Sequence, residues 1–337
     1  MQPLLEVNQL QVYFSTAQGI VKAVDNVSFA INAGERFGLI GESGSGKSTL
    51  AFAILRLIKL PGRIEGGTIQ LEGQDLAQLM EEAMRQVRLA DIALVTQGAM
   101  NSLNPVMRIR DQYADGLRSH DVYLSKAEQE RNLADLLNRV GLEAEVARMY
   151  PHELSGGMKQ RVCIALAISL RPKLIIADEP TSALDVVVQR QVMKTLQTVQ
   201  EELGAAVILI GHDMGLMAQF ATRVGVMYAG KLVEEGPVRD IFYQPQHPYT
   251  QLLMESLPSL EEKEELHAAA GSPPAALDRP AGCVFHPRCR YVMERCLTTE
   301  PGYYWANSRQ RAACFLLDDG VQAEKANMNT SEKAASS

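Results

Sequence analysis

Apolar runs that lack polar alternation predict the centre of the fold. Four such runs occur, at residues 36–41 (RFGLIG), 92–97 (IALVTQ), 174–179 (LIIADE) and 206–212 (AVILIGH). Strands that are buried on both faces of a parallel sheet show this pattern. We therefore expect four parallel strands, whose carboxyl ends deliver the residues that follow them to one edge of the sheet. Open α/β sheets bind their ligands at that edge.

Two other patterns flank the predicted sheet. Residues 4–14, 21–31 and 67–73 alternate between apolar and polar positions, as half-buried antiparallel strands do. Residues 224–236 predict a hairpin that turns at positions 229 and 230. Apolar positions with helical spacing predict an amphipathic helix, and its members are Val188, Val192, Leu196, Val199 and Leu203.

Between residues 98 and 153 the pattern becomes helical. Ser125 and Glu128 have the spacing of a capping box, and Gly141 follows the apolar stripe at a position typical of a helix end. We therefore predict a helical subdomain, at about residues 98–153, that is inserted into the α/β core. After about residue 242 prolines interrupt the pattern, and the last residues, from about 318, are polar and poor in aromatics.

The glycine-rich segment after the first apolar run has the pattern of a phosphate-binding loop. Residues 41–49 (GESGSGKST) match G-x-x-x-x-G-K-[ST], with a predicted strand before them and an apolar helix after them. Backbone N–H groups of such a loop wrap around phosphate oxygens at a helix N-terminus. We expect Lys47 to contact the β- and γ-phosphates and Ser48 to bind Mg²⁺. The residues expected to bind the nucleotide here are Gly41, Ser43, Gly44, Ser45, Gly46, Lys47, Ser48 and Thr49.

Polar residues end the other three apolar runs. We expect Asp178 to hold Mg²⁺ and the adjacent Glu179 to polarise the attacking water. His212 would position that water near the γ-phosphate, and Gln97 would join Mg²⁺ and the water. A glutamine or histidine after a strand is usually an ordinary loop residue, so the prediction depends on all four residues meeting at one sheet edge.

A second glycine-rich helix start lies at residues 151–161 (PHELSGGMKQR). Ser155, Gly156 and Gly157 begin a predicted helix, whose free N–H groups and dipole favour an anion. Because this helix follows the inserted subdomain, we expect it to lie far from its own phosphate loop. It would instead bind the γ-phosphate held by a second subunit, so that two subunits enclose two ATP molecules head to tail.

Together these motifs resemble the ATPase subunits of ABC transporters. GESGSGKST, Gln97, LSGGMKQ, LIIADEP, SALD (182–185) and His212 follow one another in that family's order, and the resemblance covers residues 4 to about 240. It implies that Phe14 stacks on adenine, with Tyr13 as the competing aromatic residue. It also implies catalysis by Glu179, His212 and Gln97, and contacts to the partner's ATP from Ser155, Gly156, Gly157 and Asp185.

The resemblance implies an α/β fold. A phosphate-loop ATPase core with a mostly parallel sheet would carry an antiparallel β subdomain, the inserted helical subdomain and a small Cys-rich C-terminal extension. The expected boundaries are 1–241 for the ATPase domain, 242–317 for the extension and 318–337 for a disordered tail.

The C-terminal region narrows the resemblance to one branch. Residues 97–105 (QGAMNSLNP), 247–258 (HPYTQLLMESLP), 271–283 (GSPPAALDRPAGC) and 283–289 (CVFHPRC) resemble bacterial dipeptide and oligopeptide importer ATPases. That branch also serves nickel, glutathione and some oligosaccharides, so the solute stays open. It implies two transmembrane permease subunits, a second, homologous ATPase subunit in a heterodimer or a homodimer, and an extracytoplasmic solute-binding protein that acts indirectly.

The cysteines suggest a further site. Cys163 lies alone in an apolar helix and is expected in the core. Cys283, Cys289, Cys296 and Cys314 are separated by 5, 6 and 17 residues. This spacing lacks the C-x₂-C pairs usual for zinc, and the longer gaps suit a [4Fe–4S] cluster, which the resemblance also implies. Zn²⁺ and free thiols remain alternatives, because spacing does not decide the identity of a metal.

Charge and hydropathy limit the other functions. The net charge of −7 and the pI of about 5.5 argue against nucleic-acid binding, which needs a basic face. We see no apolar run of the roughly 20 residues that cross a bilayer and no export signal. The expected location is therefore the cytoplasmic face of the inner membrane, through partner subunits. The alternatives are a soluble ABC ATPase acting on DNA or ribosomes, and a nonhydrolytic regulatory subunit.

Overall fold

The computed structural model describes residues 2–96, 98, 102–182, 184–256 and 272–320. Gln97, one of the predicted catalytic residues, lies outside the described residues. Nearly all of the predicted disordered tail lies outside them as well. Asp318, the first residue of that tail, accepts hydrogen bonds from Arg295 at 2.9 Å and from the Tyr304 hydroxyl at 3.1 Å.

The strands form two sheets. In chain order they are β1 Leu5–Thr16, β2 Gly19–Ile31, β3 Arg36–Ile40, β4 Gly62–Leu71, β5 Gln74–Asp75, β6 Ile92–Val95, β7 Leu174–Asp178, β8 Ala206–Ile210, β9 Arg223–Tyr228, β10 Lys231–Pro237, β11 Tyr304–Trp305 and β12 Arg311–Ala312. The order in the smaller sheet is β2-β1-β4-β5, and in the larger sheet it is β11-β12-β10-β9-β3-β8-β7-β6.

The α-helices cover these sheets. They are α1 Lys47–Ile54, α2 Glu81–Ala90, α3 Ile109–Arg118, α4 Lys126–Arg139, α5 Gly156–Ala167, α6 Val186–Leu203, α7 Met214–Phe220, α8 Val238–Tyr243, α9 Pro248–Glu255 and α10 Glu294–Thr298. None of the helices in the described ranges combines the length and the apolar character that a bilayer span requires.

The larger sheet is parallel at its centre, as the four apolar runs predict. Strands β3, β8, β7 and β6 are parallel neighbours, and β10, β12 and β11 add to the other side in antiparallel pairs. The predicted hairpin forms β9 and β10, with Ala229 and Gly230 at positive φ in its turn. Strand β9 also lies parallel to β3, so the hairpin joins the central sheet directly.

Both faces of the parallel strands are buried, which explains why they lack polar alternation. In β7, Ile175 and Ala177 belong to a core shared with α3 to α7, whereas Leu174 and Ile176 belong to a second core shared with α1, α2 and the antiparallel sheet. The antiparallel sheet corresponds to the predicted half-buried strands, since β1 pairs with β2 on one side and with β4 on the other.

Local sequence signals explain the helical subdomain. The Ser125 hydroxyl accepts from the Glu128 amide at 3.3 Å, and the Glu128 carboxylate accepts from the Ser125 amide at 2.8 Å. This is the predicted capping box at the start of α4. Leu133 and Leu137 of α4 are buried in the core that also contains α5, so the subdomain packs against the helix with the second glycine-rich start.

The C-terminal extension folds back onto the sheet and is held there by a buried carboxylate. Strand β12 pairs with β10. Glu234 of β10 is fully buried and accepts from the amides of Gln246 at 2.8 Å and His247 at 2.9 Å. The Gln310 side chain donates to it at 2.8 Å. Because these donors come from both sides of residues 257–271, they tie two parts of the extension to one strand.

Candidate active site

The phosphate loop connects β3 to α1 and needs glycine at two points. Gly41 and Gly46 have φ values of 146° and 101°, which residues with a side chain rarely adopt. A Cβ atom at Gly41 would lie 2.1 Å from the Met227 carbonyl oxygen, and one at Gly46 would lie 2.2 Å from the Ala23 carbonyl oxygen. Strands β2 and β9 therefore press directly against the loop. Ser43 and Gly44 lie exposed at its tip, Ser45 is buried and Thr49 follows in α1.

Lys47 lies inside this loop and is nearly buried. Its ammonium group donates to the carbonyl oxygens of Gly41 and Glu42, both at 2.8 Å, and to the Ser45 hydroxyl at 3.2 Å. Burial lowers the pKa of Lys47, while the carboxylates of Glu179, Asp178 and Glu42 act in the opposite direction. The positive charge of Lys47 therefore lies within the loop, where phosphate oxygens are expected to bind.

The two predicted Mg²⁺ ligands on described residues lie together. The Ser48 hydroxyl donates to the Asp178 carboxylate at 3.1 Å, although 130 residues separate them. Burial raises the pKa of Asp178, with a smaller contribution from the neighbouring Glu179. Hard cations prefer such hydroxyl and carboxylate oxygens. The residues present therefore fit Mg²⁺, and its charge would favour the ionised form of Asp178.

Glu179 and His212 also meet at this sheet edge. The His212 Nδ1 atom lies 3.5 Å from a Glu179 carboxylate oxygen, and the histidine side chain is 73% exposed. Glu179 has a φ of 44°, a left-handed conformation that costs about 1–2 kcal/mol for a residue with a side chain. Both residues line a cavity of about 160 Å³, which has room for water. The strained backbone at Glu179 was not visible in the sequence, and such strain concentrates at functional sites.

The second glycine-rich helix start lies beside the N-terminus of α6. Ser155 caps α5 by accepting from the Met158 amide at 3.3 Å. Asp185 caps α6 by accepting from the amides of Val187 and Val188, both at 3.0 Å. A Cβ atom at Gly157 would lie 2.4 Å from the Val188 Cγ1 atom, so the glycine allows these two helix starts to touch. Ser155 and Asp185 themselves remain exposed.

The two candidate aromatic residues of β1 have different surroundings. The Tyr13 hydroxyl donates to Asp25 at 2.7 Å, and burial together with this carboxylate raises the pKa of Tyr13 to about 12. Phe14 is half-buried beside Gly62, where an added Cβ atom would meet its ring at 2.5 Å. Tyr13 therefore belongs to an ionic network, whereas Phe14 packs against the core and stays partly exposed.

Residues outside the predicted set also contact the phosphate loop. The Glu42 amide donates to the Tyr249 hydroxyl at 2.9 Å, and the Glu42 carboxylate accepts two hydrogen bonds from Arg288, both at 3.0 Å. Both partners belong to the C-terminal extension. Glu42 occupies a position that the loop motif leaves variable. The motif therefore could not predict that Glu42 contacts the extension.

The structure brings the four C-terminal cysteines to the border of one small cavity. Cys283, Cys289, Cys296 and Cys314 line it, and its volume is about 10 Å³. Burial raises the pKa of Cys283 to about 11 and that of Cys314 to about 12. Within the described ranges, no three His, Cys, Asp or Glu side chains form a group that could hold a metal ion. Cys163 lies half-buried against the core, as expected.

Two family models match the chain in order. The ABC transporter model matches residues 24–182, which contain the phosphate loop, the second glycine-rich helix start and β7. The model described as the oligopeptide/dipeptide transporter C-terminal region matches residues 233–296, which contain three of the four clustered cysteines. The matched segments therefore include the phosphate loop and the Asp178–Glu179 pair of the sheet edge, together with most of the extension that contacts this loop.

Individual relatives agree with these matches. The dipeptide transport ATP-binding protein DppD of Haemophilus influenzae is 46% identical over 91% of this chain and 94% of its own length. The oligopeptide transport ATP-binding protein OppD of Salmonella typhimurium is 45% identical over 93% of each chain. The solved dimeric structure of MJ0796, a bacterial ABC transporter cassette, aligns with a TM-score of 0.63 at 28% identity over 70% of this chain and 99% of its own. With its sheet edge and its extension both matched, the chain belongs to the ABC transporter ATPases, in the branch with the oligopeptide and dipeptide transporter C-terminal region.

Proposed function

We propose that this protein hydrolyses ATP to drive the uptake of dipeptides or oligopeptides across the cytoplasmic membrane. The observation that carries the proposal is the contact between the extension and the phosphate loop, because the segment that characterises the peptide branch touches the ATP site itself. Names of the similar proteins support peptides as the solute class. A soluble ABC ATPase acting on DNA or ribosomes has no comparable support.

At the sheet edge we assign one role to each residue. Lys47 would exchange its loop carbonyl partners for the β- and γ-phosphates of ATP. Ser48 and Asp178 would hold Mg²⁺ with Gln97, and Mg²⁺ would supply charge neutralisation for the phosphates. Glu179 would accept the proton of the attacking water, and His212 would hold that water toward the γ-phosphate.

A second ATPase subunit, homologous or identical, would complete the site. Ser155, Gly156 and Gly157 would present amide groups to the γ-phosphate of the partner's ATP, with Asp185 beside them. Exposed apolar side chains at the start of α6 support an interface here, since Val186 is 63% and Val187 is 77% exposed. The similar solved cassette is described as dimeric. ATP would close the interface and hydrolysis would open it.

Permease subunits would dock in a groove beside the helical subdomain. A groove of about 380 Å³ lies between this subdomain and the core, and its lining includes Leu94, Met107, Tyr113 and Leu166. A helix of a transmembrane subunit fits such an apolar groove. We therefore place the protein at the cytoplasmic face of the membrane, with two permease subunits and, indirectly, an extracytoplasmic solute-binding protein.

We further propose that Cys283, Cys289, Cys296 and Cys314 hold a [4Fe–4S] cluster. Four sulfur donors border one small cavity, and the long gaps between these cysteines along the chain favour a cluster over Zn²⁺, because a cubane spaces its ligands farther apart. Because the cavity measures only about 10 Å³, the cysteine side chains would have to move apart to admit a cluster. Anaerobically purified protein should contain iron and absorb visible light, and Cys314→Ser should lose both while Cys163→Ser keeps them. Stoichiometric zinc without iron would contradict the cluster.

Uptake in cells tests the main proposal. A strain without this gene should lose uptake of radiolabelled dipeptide, and the wild-type gene should restore it. Glu179→Gln should fail to restore uptake, because loss of the general base slows hydrolysis by about 100-fold or more while ATP still binds. Glu201→Gln, at an exposed carboxylate on α6, is the matched control and should restore it. Full uptake with Glu179→Gln would refute the assigned role, and undiminished peptide uptake in the deleted strain would refute the solute.

A further inference from the structure

An ion pair connects the C-terminal extension to the phosphate loop. Both terminal nitrogens of Arg288 donate to the Glu42 carboxylate, each at 3.0 Å. The arginine side chain is only 4% exposed and the glutamate side chain 25% exposed. Bidentate arginine–carboxylate pairs of this kind define an orientation as well as a distance. The pair joins residues that are 246 positions apart.

The arginine is itself held in place. It belongs to a single helical turn, His286–Arg288, between Cys283 and Cys289. Its guanidinium lies 5.7 Å from the centre of the Tyr228 ring and 5.8 Å from that of the Phe285 ring. One nitrogen also donates to the Tyr228 hydroxyl at 3.3 Å. Because the aromatic rings and the Tyr228 hydroxyl hold the guanidinium in place, Arg288 can restrain the position of Glu42.

Glu42 is in turn a structural centre of the loop. Its carbonyl oxygen accepts from the Lys47 ammonium at 2.8 Å and from the Ser45 amide at 3.2 Å. Its amide donates to the Tyr249 hydroxyl at 2.9 Å. A movement of Glu42 would therefore displace the Ser45 amide, which is expected to contact phosphate.

We propose that Arg288 is a positioning residue for ATP, which holds the phosphate loop in its binding conformation through Glu42. The C-terminal extension thereby sets the affinity of this subunit for ATP. This inference goes beyond the proposed solute and does not depend on a metal at the cysteines, since it requires only that the chain binds ATP at this loop.

The proposal predicts which kinetic constant changes. The loop holds the β-phosphate in both the ground state and the transition state, so a displaced loop weakens both equally. Such a loss of uniform binding raises KM and leaves kcat nearly unchanged. A purely structural role for Arg288 would instead reduce the folded fraction, which lowers the apparent kcat and leaves KM unchanged.

The experiment measures ATP binding and hydrolysis by the full-length protein, alone and in the assembled transporter. Arg288→Met removes the charge but keeps much of the length, and it should raise the Kd and KM for ATP by about 10-fold, within the usual range for coupled sites. Arg288→Lys keeps the charge and loses the bidentate geometry, so it should give an intermediate increase. Glu42→Gln in the Arg288→Met background should add little, because one interaction is already lost.

Arg290→Met is the matched control. Arg290 also neighbours Cys289, but it is 52% exposed and pairs with Glu255 instead of the loop. The Arg290→Met substitution should leave the Kd and KM for ATP unchanged. An Arg288→Met protein that binds ATP within twofold of wild type would overturn the proposal. If Arg288→Met does not fold, a wild-type KM in Arg288→Lys would overturn it equally, as would strictly additive effects of the Glu42 and Arg288 substitutions.

Discussion

The contact between Gly157 and Val188 allows one substitution to be predicted in detail. Gly157 lies in the first turn of α5, and a Cβ atom there would approach the Val188 Cγ1 atom to 2.4 Å. Carbon atoms in good contact are about 3.5–4.0 Å apart, so the overlap exceeds about 1 Å. Val188 cannot simply rotate away, because a helix leaves valine about one favoured rotamer. Gly157→Ala must therefore separate the starts of α5 and α6.

The magnitude follows from two opposing contributions. Overpacking of this kind costs about 1–3 kcal/mol, and replacing a helical glycine by alanine returns up to about 1 kcal/mol. We expect Gly157→Ala to reduce the free energy of unfolding by about 1–2 kcal/mol, which denaturant titration measures. Ser155 and Asp185 cap these two helices and are proposed to lie at the partner's ATP. Separating the helices would move them, so ATP hydrolysis should fall as well.

A second substitution identifies the cause. Val188→Ala removes the clashing methyl group and should restore both stability and hydrolysis when combined with Gly157→Ala. Val187→Ala, at a 77% exposed neighbour, should restore neither. The double variant Gly157→Ala, Val188→Ala could be stable and still fail to hydrolyse ATP. Glycine would then be needed at position 157 for the close approach of the partner's nucleotide, and not for packing against α6 of the same chain. An unchanged unfolding free energy in Gly157→Ala would refute the steric argument itself.

Two further predictions concern the start of the chain. Phe14→Ala should raise the Kd for ATP about 10-fold, because stacking on adenine is lost, and a fluorescent ATP analogue measures this change. Tyr13→Leu should lower the free energy of unfolding and leave that Kd unchanged. The reverse pattern would make Tyr13 the stacking residue. Asp25 pairs with Lys231 at 3.0 Å and Arg279 at 2.8 Å. Although burial acts the other way, the hydrogen bond from Tyr13 and the nearby charges of Lys231 and Arg279 lower the pKa of Asp25. Its stabilising contribution is therefore present above its unfolded pKa of about 3.9 and is lost as the pH falls through its lower folded pKa. Asp25→Asn should cost about 3–5 kcal/mol at pH 7, with a gap to wild type in denaturant titrations that shrinks below about pH 4, and a gap independent of pH would contradict the pairing.

Much of the site could be read from short stretches of sequence. The phosphate loop is visible because its glycines, lysine and hydroxyls act within nine residues, and φ values above zero at Gly41 and Gly46 require glycine locally. The parallel strands are visible because burial on both faces removes polar alternation. The capping box of Ser125 and Glu128 is likewise a local hydrogen-bond pattern.

Long-range contacts had no such signal. The left-handed backbone of Glu179, the pairing of Glu42 with Arg288 and the approach of Val188 to Gly157 each depend on how separate elements pack. The cysteine spacing indicated a common site, but which other side chains border that cavity depended on the folded extension.

The order of motifs along the chain therefore specified the fold and the chemistry, since each motif encodes its backbone conformation and reacting groups within a few residues. The connection between the extension and the ATP loop emerged only on folding. A hydrogen bond between residues 246 positions apart is set by the packing of whole elements, and no periodicity along the chain records it.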